Sequence, residues 1–208
     1  MGLDLITKYF NGLTDVQISQ YGALYDLYSD WNSKINVISR RDIENLYEHH
    51  VLHSLAIANV LKFREGTSII DVGTGGGFPA IPLAIMFPEC KFTLIDSTGK
   101  KLKVADAVAE AIGLSNTETH HARIEEIKTK HDFVISRAAM DMQTLVSLTR
   151  KNVARKGKNA LPNGLICLKG GEIGNEIAPF RKSITVHNLS DWFEEEFFKT
   201  KKAIYMPL

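Results

Sequence analysis

The stretch TSIIDVGTGGGFPAIPLAI, residues 67 to 85, decides the fold. Residues 67 to 72 are rich in β-branched side chains and suit a short buried strand. Pro79 then suits the first turn of a helix, and Pro82 is compatible with that helix only inside the same turn. Gly73, Gly75 and Gly77 lie between strand and helix, where glycine admits positive φ and lets a ligand approach the backbone. A dinucleotide fingerprint, GxGxxG, would need glycine or alanine at position 78, and Phe78 stands there. Nicotinamide dinucleotide chemistry loses its main support.

Downstream, KFTLID at 91 to 96 reads as a second strand, which completes a strand, loop, helix, strand unit. A helix is predicted over 99 to 112, strands over 117 to 121 and 132 to 136, a helix over 140 to 155, and a strand over 164 to 169. This alternation predicts an α/β fold, a mostly parallel sheet with helices on both faces. SITVHNL at 183 to 189 and KKAIYMPL at 201 to 208 are expected to form an antiparallel pair at the sheet edge. Upstream, Thr14 and Gln17 form a capping box, and Ile18, Tyr21, Leu24, Tyr28, Trp31 and Ile35 recur at helical spacing. A second helix is predicted from Asp42 to near Gly66. The expected organisation is an N-terminal helical segment over 1 to 65 and a Rossmann-like core over 66 to 208, in one compact unit.

The 208 residues, 44% of them hydrophobic, are enough for one well-buried core. The longest apolar stretch, Phe78 to Phe87, contains two prolines and falls short of the roughly 20 residues of a membrane span. MGLDLITKYFNG has no basic region before an apolar one, so no signal peptide is expected. Cys90 and Cys167 stand apart without CxxC spacing, which suits a reducing compartment and points to the cytoplasm. The net charge is +1, but no acidic residue occurs from Met142 through Gly171, where Arg150, Lys151, Arg155, Lys156, Lys158 and Lys169 are basic. Such a cluster suits either solvated helix faces or a surface that contacts phosphates.

Asp71 discriminates among cofactors. A carboxylate at the mouth of the loop would repel a pyrophosphate and favour a sulfonium and an amino group, which points to S-adenosylmethionine. Asp96 ends the second strand, 23 residues after Gly73, where a carboxylate accepts hydrogen bonds from ribose hydroxyls. The alternative is a plain tight turn, with Asp96 capping the following helix. His49 and His53 have the i, i+4 spacing of helical zinc ligands, but no third ligand accompanies them and no metal is expected.

WNSKINVIS (31 to 39), HHVLHSL (49 to 55), DVGTGGGFPAIPLAI (71 to 85), LIDSTGKK (94 to 101), ARIEEI (122 to 127), ISRA (135 to 138) and LKGG (168 to 171) follow one another along almost the whole chain. In these blocks the chain resembles the bacterial 16S ribosomal RNA guanine-N7 methyltransferases of the glucose-inhibited division protein B type. The resemblance implies a class I S-adenosylmethionine-dependent methyltransferase that modifies a guanine (position 527) of that RNA in the small ribosomal subunit. It implies that Gly73 and Phe78 contact the cofactor, that Ile124 and Glu125 hold its adenine end, and that Arg137 lies at the edge of the site, on cofactor carboxylate or RNA phosphate. Asp71, Gly75 and Asp96 complete the expected cofactor set. Arg150, Lys151, Arg155, Lys156 and Lys169 are the expected RNA contacts. No DNA or membrane partner is expected, and the chain is expected to act as a monomer. The family often has Arg and Asp where His49 and His53 stand, which leaves the roles of His49, His50 and His53 open.

Guanine N7 carries an unprotonated lone pair, so no catalytic acid or base is expected and alignment would supply the rate. The position after the fourth strand reads SRAAM, not the Asn/Asp, Pro, Pro, aromatic motif of exocyclic-amine methylation. Neither cysteine has the surroundings of a nucleophile. A methyltransferase acting on a small molecule or protein and a non-catalytic nucleotide-binding module remain as alternatives.

Overall fold

The computed structural model describes residues 2–137 and 140–208. Ala138 and Ala139, part of the ISRA and SRAAM segments, lie outside the described residues. Strands β1 (Ser68–Val72), β2 (Lys91–Asp96), β3 (Thr117–His121), β4 (Phe133–Arg137), β5 (Gly164–Gly170), β6 (Thr185–Asn188) and β7 (Lys201–Pro207) form one sheet in the order β3-β2-β1-β4-β5-β7-β6. The first five are parallel, and β7 runs antiparallel to both β5 and β6. The expected edge pair is present, and β7 also joins it to the parallel sheet.

The pleat sends alternate residues to two cores. Ile69, Phe92, Leu94, Phe133, Ile135, Ile166 and Leu168 face one layer, while Ile70, Ile95, Val134, Leu165 and Cys167 face the other. The first layer is thick. It takes α1 (Leu3–Tyr9), α2 (Asp15–Lys34), α3 (His53–Val60), α4 (Ala80–Met86) and α5 (Gly99–Ala111). The second is covered by α6 (Met142–Thr149) and by Ile124, Val153 and Ile173 around it; the short α7 (Gly174–Ile177) follows.

α2 begins at the capping box: the Thr14 hydroxyl accepts from the Gln17 amide, and the Gln17 side chain accepts from the Thr14 amide. Its buried face carries Tyr21, Leu24 and Tyr28. Tyr21 Oη donates to the Pro82 carbonyl (2.8 Å) and Tyr28 Oη to the Gly76 carbonyl (2.8 Å), so the N-terminal helix holds the glycine turn from behind. α4 starts at Ala80 with Pro79 as its N-cap, which places Pro82 in the first turn, where its missing N–H leaves no helical bond unmade.

Two expectations change in detail. The helix read from Asp42 onward is a 3₁₀ turn (Ile43–Asn45), a π-helical segment (Leu46–Leu52) and then α3, ending at Val60. The helix read over 140 to 155 is α6 and a 3₁₀ turn (Arg150–Asn152), so Arg155 and Lys156 lie beyond it in loop. Asp141 caps α6 by accepting from the Thr144 amide (2.9 Å).

Candidate cofactor cleft

At the carboxyl ends of β1, β2 and β4 a cleft of about 560 Å³ opens, lined by Val72, Gly73, Ile95, Asp96, Ser97, Thr98, Lys101, Ala122, Arg123, Ile124, Glu125, Arg137, Met140 and Leu148. The chain passes from β1 out to β2 and β3, then returns to the other side of β1 with β4. A ligand crevice belongs at such a switch point, because the connections from neighbouring strands diverge there.

The glycine turn is built on φ values of 72° at Gly73, 59° at Gly75 and 106° at Gly77. Both Gly73 and Thr74 donate backbone N–H groups to the Ile95 carbonyl at 3.0 Å, which ties the turn to β2. Asp96 closes the arrangement: Oδ2 accepts from Gly75 N–H (2.9 Å) and Oδ1 from Thr98 N–H (2.8 Å). Each carboxylate oxygen has a second lone pair, so Asp96 can still receive a hydroxyl from a ligand in the cleft.

Of the eight residues expected at the cofactor, Gly73, Asp96, Ile124, Glu125 and Arg137 line this cleft. Gly75 sits one hydrogen bond away, donating to Asp96. Asp71 is elsewhere than expected. It is fully buried beneath the loop, its Oδ2 accepting from Thr74 Oγ1 (2.6 Å) and the Ala80 amide (3.1 Å), because the turn folds over the end of β1 and presents the Thr74 hydroxyl and the first amide of α4 to the carboxylate. Phe78 is also buried. Its ring packs on Tyr28 (centroids 4.7 Å) and lies under the Arg137 guanidinium at 5.1 Å, so it meets the cleft through that arginine.

The expected RNA contacts divide similarly. Arg150, Lys151, Arg155 and Lys156 are exposed. Lys151 Nζ, however, donates to the carbonyl of the cleft residue Glu125 (2.6 Å). Lys169 is buried, contrary to expectation, in an ion pair with Glu176 (2.7 Å) and a hydrogen bond to the Met140 carbonyl. Glu176 in turn accepts from the Met142 amide (2.7 Å), so Lys169 fastens Met140 and the start of α6. A lysine on a parallel strand finds its partners inside the fold, which residue type alone does not reveal.

Sequence reasoning missed Asp42, His49 and His50. The Asp42 carboxylate receives His49 Nδ1 (2.6 Å) on Oδ1 and His50 Nε2 (2.7 Å) on Oδ2. Arg137 donates to the His49 carbonyl and to His50 Nδ1, both at 3.1 Å. Burial raises the Asp42 carboxyl, but the hydrogen bonds from His50, His49 and Asn45 outweigh it and hold it below the usual range. Burial, then the Arg137 charge, push His50 down to about 4. Burial also lowers Arg137 to about 10, which keeps it a cation at neutral pH. His53 is buried and, for the same two reasons, held well below its ordinary value. No grouping of three or more potential metal ligands occurs among the described residues.

Burial pushes the Asp71 carboxyl up to about 7, against the hydrogen bonds of Thr74 and Ala80 and the attraction of Arg137. The folded state therefore binds this proton more tightly than the unfolded chain, whose Asp titrates near 3.9. The stability from this group is complete below about 4 and is lost as pH rises through about 7. Asp71→Asn keeps an oxygen for Thr74 and Ala80 and removes the titration. Thermal melts of the two proteins across that window are expected to show a steeper decline in wild type, and parallel curves would refute the assignment.

The chain is similar to known proteins along most of its length. The family model described as GidB, rRNA small subunit methyltransferase G, matches residues 17–205. A relative named Ribosomal RNA small subunit methyltransferase G, from Bacteroides fragilis, is 60% identical over 207 residues, covering 100% of this chain and 92% of the relative. The chain belongs to this family. Among solved structures, a SAM-dependent methyltransferase from Aquifex aeolicus is 16% identical, with a TM-score of 0.56 over 81% of this chain and 98% of that one. Another from Thiobacillus denitrificans, in complex with S-adenosyl-L-homocysteine, is 15% identical, with a TM-score of 0.52 over 78% and 79% of the two chains. Those likenesses give the chain its fold class, a mostly parallel Rossmann-like sheet. No helix among the described residues is long and apolar enough to cross a membrane.

Proposed function

We propose that the chain transfers the methyl group of S-adenosylmethionine to N7 of a guanine in 16S ribosomal RNA, in the cytoplasm, with residues 1 to 65 and 66 to 208 working as one compact unit. The observation that carries this reading is the cleft at the strand switch, with Asp96 on its β2 side and Arg137 on its β4 side, in a chain of this family. The residues fit the cofactor. About 560 Å³ suits a nucleoside-sized ligand. Ile95 and Ile124 supply apolar walls, and Asp96 accepts from hydroxyls. Glu125 stands at the adenine end, and Arg137 offers a cation for a carboxylate or an RNA phosphate.

When bound, S-adenosylmethionine supplies a sulfonium-activated methyl group. Gly73, with its backbone in the left-handed region, lets main chain rather than side chain form the floor of the cleft. Asp96 orders the turn and the cofactor side together. No residue needs to remove a proton from neutral guanine N7, so the chain contributes alignment and exclusion of water. Asp71, from beneath, keeps the turn in shape.

The direct test is to incubate the protein with labelled cofactor and either small ribosomal subunits or naked 16S RNA, and to map 7-methylguanosine. Label on protein or small metabolites alone would overturn the RNA assignment. Arg150, Arg155 and Lys156 are exposed and are the remaining phosphate-contact candidates; Arg155 and Lys156 lie in the segment that leads to the amino end of β5, away from the cleft at the carboxyl ends. The double variant Arg155→Ala, Lys156→Ala is expected to weaken RNA binding and to lower the log–log salt slope by about 1 for each phosphate no longer neutralised. An unchanged slope would remove these residues from the interface.

A further inference from the structure

The cluster of Asp42, His49 and His50 belongs to the helical segment, yet it ends on a cleft residue of the core. We infer that His50 is a positioning residue: Asp42 holds it as the Nε2–H tautomer, and its Nδ1 fixes the Arg137 guanidinium at the cleft.

The tautomer follows from the partners. Arg137 can only donate, so His50 Nδ1, 3.1 Å from Nη2, accepts. The ionised Asp42 can only accept, so His50 Nε2, 2.7 Å from Oδ2, donates. The imidazole is thus neutral and oriented by both neighbours, in agreement with its lowered basicity. His49 takes the other oxygen of the same carboxylate and stacks on Phe197 at 3.9 Å, and its carbonyl receives the second Arg137 bond. The Phe78 ring supports the guanidinium from a third direction.

The π-helical turn makes this possible. Consecutive residues of a regular α-helix point about 100° apart, whereas in the widened segment Leu46–Leu52 both His49 and His50 reach one carboxylate. Arg137 therefore meets the cleft with two of the five N–H groups of its fork already committed. A planar fork held in this way loses little freedom when it engages an anion.

The inference rests on Arg137 serving the proposed methyl transfer, and its test separates the two. In wild-type protein, long-range proton–nitrogen correlation of His50 is expected to show unprotonated Nδ1 and protonated Nε2 from pH 6 to 8; a protonated Nδ1 would overturn the inference whatever the substrate. Two substitutions then divide the ring. His50→Asn places an oxygen near Nδ1 and keeps the acceptor for Arg137, while His50→Gln reaches the Nε2 position and keeps the donor for Asp42. His50→Gln is expected to lower kcat/KM for RNA methylation about tenfold, the loss of one charge-assisted bond, with His50→Asn recovering most of it. Equal activity of His50→Gln and wild type, or no advantage of Asn over Gln, would also overturn it. Calorimetry with S-adenosylhomocysteine and thermal melts report whether each variant is folded and binds. If wild type itself methylates no RNA, the proposed function fails while the tautomer measurement still decides the role of His50.

Discussion

Arg137→Ala is expected to lower kcat/KM for RNA methylation by about 100-fold or more, because one charge-assisted hydrogen bond is worth about 1.5 to 3 kcal/mol and the substitution removes several. The side chain lines the cleft, rests on Phe78 and ties β4 to the segment carrying His49 and His50. Its removal takes away a cation lining the cleft and strands the His50 acceptor. Arg137→Lys keeps the charge but not the planar fork, so it cannot serve the His49 carbonyl, His50 Nδ1 and an anion together. An intermediate loss of about tenfold is expected for it. Initial rates with the small subunit check the order, and calorimetry with S-adenosylhomocysteine assigns the partner: a weakened affinity places Arg137 on the cofactor, an unchanged one on the RNA. Activity of Arg137→Ala within a few-fold of wild type would remove the residue from the site.

The second large effect is on stability. Gly77 has φ of 106°, and a Cβ there would stand 2.5 Å from Ile81 Cγ1 and 3.2 Å from Tyr28 Oη. Backbone strain of about 1 to 3 kcal/mol and overpacking of similar size add to a loss of about 2 to 6 kcal/mol for Gly77→Ala. For a chain of this length that corresponds to a fall in Tm on the order of 10 °C. Gly113 supplies the comparison, since its φ is 70° and nothing lies within 4 Å of the added carbon. Gly113→Ala should lose only the left-handed backbone term, about 1 to 2 kcal/mol. Equal melting shifts for the two variants would show that the space behind the turn is not the constraint.

The elements of the core were legible because their causes are local. A short β-branched run marks β1, the short apolar run KFTLID marks β2, the capping box marks the start of α2, and glycines between strand and helix mark the turn. Asp96 was legible for the same reason, since its bond to Gly75 spans one βαβ unit. Asp71 was read at the right place in the chain and the wrong depth, because whether a loop folds over a carboxylate or leaves it open depends on the helix that follows. Lys169 was read as a surface cation, and its burial depends on Glu176 and Met140, which no spacing announces.

By itself, then, the sequence determined the alternation of strands and helices in the core, the glycine turn and its acid on β2, and the family blocks that run along the chain. Only the tertiary structure decided that His49 and His50, both bonded to Asp42, meet Arg137 from 88 and 87 positions away in the chain. Periodicity and turn chemistry act over a few residues, whereas this cluster exists only after two separate elements pack against the same sheet. Long-range packing sets the direction of a guanidinium, and short-range propensity has no means of encoding it.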